Sequence, residues 1–145
     1  MDTKELQKQI ISDMRQMQKV ENASVASTGR IIKKTKNPVV RLAMEIIQRD
    51  SKMHYEVQDF IANSLGGETV SLTPEELAEV WDMIEQHIDL EKKMVEAAKQ
   101  LRISLKGKFM VIQQYLIDYL LEDETKHNNL LERLSGIKTR MYPYG

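Results

Sequence analysis

Prolines and glycines interrupt this chain so rarely that runs of roughly thirty residues lie between them, too long for strands and of helical period. The first run is predicted to start near Asp2 or Thr3 and reach about Lys34. Asn37 then offers an N-cap and Pro38 a first helical position, opening a second helix that ends before Gly66-Gly67. Thr73-Pro74-Glu75-Glu76 is a capping box with proline in its first turn, so a third helix runs to about Leu105, where Gly107 interrupts it. A fourth runs from about Lys108 to Ser135 and is stopped by Gly136; residues 138–145, with Pro143, read as an irregular tail. The expected fold class is all-α, an antiparallel four-helix bundle over residues 1–137. Only about seven residues, Gly66 to Leu72, join the second and third helices. They span about 24 Å against about 40 Å for the second helix, so a simple up-down connection is easier than a crossover, which needs that helix to stop early or the third to start late.

Composition limits the chemistry. No stretch approaches the roughly 18 consecutive apolar residues of a membrane span, and the start, MDTKELQKQ, lacks a signal peptide's apolar region, so a cytoplasmic location is the default expectation. With no cysteine, disulfides, thiolate zinc sites and iron–sulfur clusters are excluded, and any metal must take oxygen and nitrogen ligands. A net charge of -1 leaves no footprint for nucleic acid. The basic run from Arg30 to Lys36 reads as the cationic end of a helix, complementing its dipole. No glycine-rich phosphate loop or nucleophile elbow is present.

All three histidines fall inside predicted helices with a carboxylate four residues away: Asp50 and His54, His87 and Glu91, Asp123 and His127. Residues four apart share a helix face, and carboxylate with imidazole on one face is a metal-binding combination. Steps of three and four place them in apolar stripes. The third helix reads Leu77, Val80, Ile84, His87, Glu91, Met94, Ala98, Leu101 and Leu105; the fourth reads Phe109, Ile112, Leu116, Leu120, Asp123, His127, Leu130, Leu134 and Ile137. The second reads Val39, Ala43, Ile46, Asp50, Met53, Val57, Phe60 and Ser64, and the first reads Ile10, Met14, Met17, Glu21, Ser24, Thr28 and Ile31. Each stripe turns polar near its middle. Uncompensated, such buried acids cost several kcal/mol each, and in a metal-free protein Glu21, Asp50, Glu91 and Asp123 are expected to titrate above their ordinary values. Cations resolve that conflict; the alternative is a network of protonated histidines and acids that only fixes helix register in a bundle mediating protein interaction. Tyr55, Tyr115 and Tyr119 lie near these positions, and the nine methionines and Trp81 read as packing.

The chain also resembles itself. Val20-Glu21-Asn22-Ala23-Ser24-Val25 is similar to Leu90-Glu91-Lys92-Lys93-Met94-Val95, and Arg49-Asp50-Ser51-Lys52-Met53-His54 to Glu122-Asp123-Glu124-Thr125-Lys126-His127. Two similar hairpins would each carry Glu on the first helix and D-x-x-x-H on the second.

On these residues the chain resembles the ferritin-like superfamily of ferritins, bacterioferritins and rubrerythrins, over residues 3 to 136. That family draws a Glu from each of two helices and Glu-x-x-His from each of the other two to hold two metal ions. Glu21 and Glu91 match the single glutamates, and Glu124 with His127 forms one Glu-x-x-His. In the second helix Ser51 replaces the motif's Glu, so Asp50 must reach in beside His54, and His87 is an extra nitrogen. The resemblance implies a di-iron centre, with manganese or zinc as alternatives, and together with the helix stripes it makes Glu21, Asp50, His54, His87, Glu91, Asp123, Glu124 and His127 the candidate ligands. It also implies a role in iron, oxygen or peroxide handling, with a di-iron oxidoreductase compatible; without a rubredoxin-like cysteine segment, a peroxidase role would need an external reductant. The expected partners are metal ions, with a homodimer compatible and neither nucleic acid nor membrane involved.

Overall fold

The computed structural model describes residues 1–67 and 70–141, including all their side chains except those of Lys138 and Met141. Its four helices are α1 (Thr3–Lys34), α2 (Pro38–Gly66), α3 (Pro74–Ser104) and α4 (Val111–Met141), and no strand occurs among the described residues. None of these helices is long and apolar enough to cross a membrane. The chain divides into two compact units, Met1–Val70 with α1 and α2, and Ser71–Gly145 with α3 and α4. Each unit is a helix hairpin.

Local chemistry explains the helix starts. Asp2 accepts from the Glu5 amide at 2.8 Å while Glu5 Oε2 accepts from the Asp2 amide at 3.0 Å. Thr73 and Glu76 close the same reciprocal box on α3, and Asn37 Oδ1 accepts from the amides of Val39 and Val40 ahead of α2. A cap of this kind contributes about 1 kcal/mol. Gly107 takes a φ of 76° in the turn after α3, a left-handed geometry suited to glycine.

The fourth helix departs from expectation at both ends. It starts at Val111, so Phe109 lies in the turn, 99% exposed, and takes no part in a stripe. Gly136 does not stop it. A glycine ends a helix by adopting the left-handed conformation, and Gly107 alone among the described glycines has that φ. Gly136 therefore stays helical at a propensity cost of about 1 kcal/mol relative to alanine. The tail expected from residue 138 is helical to Met141; the rest, with Pro143, lies outside the described residues.

In the first hairpin the cross-helix pairs Ile32–Arg41, Val25–Gln48, Ser24–Ser51, Glu21–Gln58 and Arg15–Asp59 run in opposite directions along the chain, so α1 and α2 are antiparallel. Most of what they bury is polar: Gln18, Thr28, Ser51 and Gln58, with Ala62. Ser24 and Ser51 hydroxyls meet at 2.8 Å, and Gln48 donates to the Val25 carbonyl at 3.1 Å. At the open end Arg15 bonds Asp59, Asn63 and Gln18. Asp59 is held below the usual carboxylate range, chiefly by the Arg15 hydrogen bond and then by Gln18. In the second hairpin the pairs Arg102–Asp118 and Glu91–His127 make α3 and α4 antiparallel as well, and α3 buries Leu77, Ile88, Glu91 and Ala98.

These faces only partly follow the stripes. Met53, Val57 and Phe60 of α2 are exposed, while Ser51, Gln58 and Ala62 beside them are buried. Leu77, Glu91 and Ala98 of α3 do lie inward, but Val80, Met94 and Leu101 are exposed, as are Ile112, Leu120, Leu130 and Ile137 of α4 and Met17 and Ile31 of α1. An apolar sector 100° or more wide exceeds what one neighbouring helix covers.

Candidate metal centre

Glu91 is 4% exposed, midway along the buried line of α3 between Ile88 and Ala98. Facing it, α4 presents Asp123, Glu124 and His127, and His87 sits one turn before Glu91 on α3 itself. His87 Nε2 is 2.9 Å from Glu91 Oε1. His127 Nδ1 lies 3.7 Å from Glu91 Oε1 and 3.7 Å from Glu124 Oε2, while its Nε2 is 3.2 Å from Asp123 Oδ2. Lys126 in turn stands 2.7 Å from Asp123 Oδ1. Glu91, Glu124 and His127 each offer a ligand atom, and these atoms lie within 4.8 Å of one another.

The geometry divides the labour. Asp123 Oδ2 stands beside Nε2 of His127. With the imidazole hydrogen on that nitrogen, Nδ1 would keep its lone pair towards the two glutamates, the state in which histidine binds metal. Asp123 thus meets the far nitrogen of His127, and Glu124 the near one.

Glu91 Oε2 and Glu124 Oε2 are both buried with no N–H or hydroxyl partner. A carboxylate oxygen left so costs about 1–3 kcal/mol or more. Contact between the two carboxyls drives their proton affinities apart. Glu124 is raised by its hydrogen bond with Glu91, then by burial and by the Glu91 charge; Glu91 is lowered, first by the hydrogen bond from Glu124. The expected upward shift of Glu91 is therefore corrected: its neighbour Glu124 is raised in its place. Two buried oxygens without donors, beside an imidazole lone pair, fit a divalent cation bound by oxygen and nitrogen.

The first hairpin gathers fewer candidates. Glu21 Oε2 lies 3.5 Å from His54 Nδ1, close to the 3.7 Å of Glu91 and His127, so the pairs equated by the internal repeat do meet. The same oxygen accepts a hydrogen bond from Gln58 Nε2 at 2.8 Å. Asp50 is half-buried and joins no hydrogen bond or ion pair among the described residues. Ser51 occupies the inward position and spends its hydroxyl on Ser24. Gln58 was not anticipated; its signal was the spacing of Ser51, Gln58 and Ala62 on one face, hidden by their polarity. Tyr55 and Tyr115 are exposed, and Trp81 donates to Glu85 at 3.0 Å.

No family model, no curated protein and no solved structure matches this chain in the three comparisons made.

Proposed function

We propose that this is a ferritin-like metal-binding protein whose second hairpin holds a divalent cation on Glu91, Glu124 and His127. The observation that carries the reading is Glu91, nine-tenths buried, with an oxygen that no protein donor satisfies, beside a second such oxygen and an imidazole nitrogen. A metal-free network that served only to set register would be expected to satisfy those oxygens. Glu21 and His54 form a lesser set in the first hairpin. The resemblance adds iron as the first candidate, a dinuclear centre, and iron, oxygen or peroxide handling in the cytoplasm.

Bound iron would supply one-electron redox chemistry. The residues' own part would be to hold and orient: Glu91 and Glu124 would bring negative charge into a poorly solvated position, Asp123 would orient His127 from its far nitrogen, and Glu124, whose proton affinity is raised, would have to bind as the carboxylate.

Elemental analysis of purified protein, followed by addition of Fe(II), Mn(II) or Zn(II) to chelator-treated protein, tests this. One to two equivalents per chain and a raised melting temperature are expected, since a ligand that binds only the native state stabilises it. Absence of both would leave the register-fixing interaction module as the reading, and magnetic coupling between two bound irons would establish the dinuclear form.

A further inference from the structure

The lead glutamates of the two hairpins are each gripped by an N–H donor through one oxygen, but the donors differ. Glu21 Oε2 takes the Gln58 amide from across the hairpin at 2.8 Å and faces His54 Nδ1. Glu91 Oε1 takes His87 Nε2 from its own helix at 2.9 Å and faces His127 Nδ1, with Oε2 left without a partner. An ionised carboxylate only accepts, so the nitrogen of His87 aimed at Glu91 must carry the hydrogen. That nitrogen then has no lone pair for a cation. Gln58 is 5% exposed, and aiming its Nε2 at Glu21 leaves its own Oε1 buried without a partner. A buried acceptor left bare is destabilising, so leucine would suit the hairpin better if packing were the whole purpose.

Building on the metal reading above, we infer that His87 and Gln58 are positioning residues and not ligands: each holds one oxygen of Glu91 or Glu21 and so sets which oxygen is presented to a cation. His87 Nε2 is thereby taken out of the candidate ligand atoms around Glu91.

The test uses the full chain, Zn(II) calorimetry and the absorption spectrum of the Co(II) form. Glutamine at 87 keeps a donor: Gln9 already donates to Asp13 four residues on at 2.8 Å, the same spacing and direction as His87 to Glu91. His87→Gln should bind Zn(II) within a few-fold of wild type, while His87→Leu should weaken the tighter site about 10- to 100-fold. The Co(II) spectrum should keep its shape in both, because no nitrogen ligand is lost. Gln58→Leu, which leaves Glu21 Oε2 without that donor, should weaken the other site and leave the tighter one unchanged, a selectivity that a merely structural residue would not give. In metal-free protein, nitrogen-15 NMR should show His87 as the Nε2–H tautomer. An altered Co(II) spectrum in His87→Gln, the Nδ1–H tautomer, or unchanged affinity in His87→Leu would overturn the assignment and leave the metal reading standing. Wild-type protein that bound no cation would overturn both.

Discussion

Glu91 and Glu124 are chemically alike, yet their proton affinities are driven apart by contact with one another. The raised carboxyl of Glu124 contributes stability below its unfolded value of about 4.3, and that contribution is lost as pH rises through its folded value. The lowered carboxyl of Glu91 works in the opposite sense, contributing above the unfolded value and failing as pH falls through its folded one. Glutamine at 124 has no carboxyl to titrate. In denaturant titrations of metal-free protein, Glu124→Gln should therefore gain on wild type as pH rises above the unfolded carboxyl value of about 4.3. A difference that stays constant with pH would show that the Glu124 carboxyl is not raised. The same substitution removes a ligand oxygen and should weaken Zn(II) binding by about 10-fold or more.

The two interior glycines of the second hairpin separate a working turn from a tolerated flaw. Gly107 holds a φ of 76°, where a β-carbon costs about 1–2 kcal/mol, so Gly107→Ala should lower stability by about that amount. Gly136 is helical, and a β-carbon built there meets nothing within 4 Å. Gly136→Ala should stabilise by about 0.5–1 kcal/mol. Thermal melts of the two variants decide the matter: if Gly136→Ala is also destabilising, the helix ends there after all. In the first hairpin, the polar contact face draws on hydrogen bonds worth about 0.5–1.5 kcal/mol each. Ser51→Ala leaves the half-buried Ser24 hydroxyl without that partner and should cost about 1 kcal/mol.

Taken over the whole chain, the internal repeat has yielded unequal halves. The second hairpin brings together three atoms able to ligate a metal; the first offers a glutamate and a histidine, because serine stands at position 51 and the Asp50 side chain joins no hydrogen bond or ion pair among the described residues. Titration of apo-protein with Zn(II) should show two unequal steps. His127→Ala should remove the tighter and His54→Ala the weaker, and the reverse pattern would refute this ranking. At a free concentration 100 times the dissociation constant, the tighter site should add about 2.7 kcal/mol to stability.

The starts of α1, α2 and α3 were legible in the chain because their causes are local. Asp2, Asn37 and Thr73 cap backbone amides two or three residues away, and no distant contact alters that chemistry. The i,i+4 couples His87–Glu91 and Asp123–His127 were legible for the same reason, since helix geometry alone brings them within reach. The exit of α4 was not, because a helical glycine and a capping glycine are the same letter and differ only in φ. Nor could letters assign the jobs at the site. Successive residues turn by about 100° around a helix axis, so a small rotation of α2 against α1 separates a line through Asp50, Met53 and Val57 from one through Ser51 and Gln58. Packing across the hairpin selected the second line. It placed an amide from α2 on Glu21, faced Glu91 with both Glu124 and His127, and left Asp123 at the far nitrogen of His127.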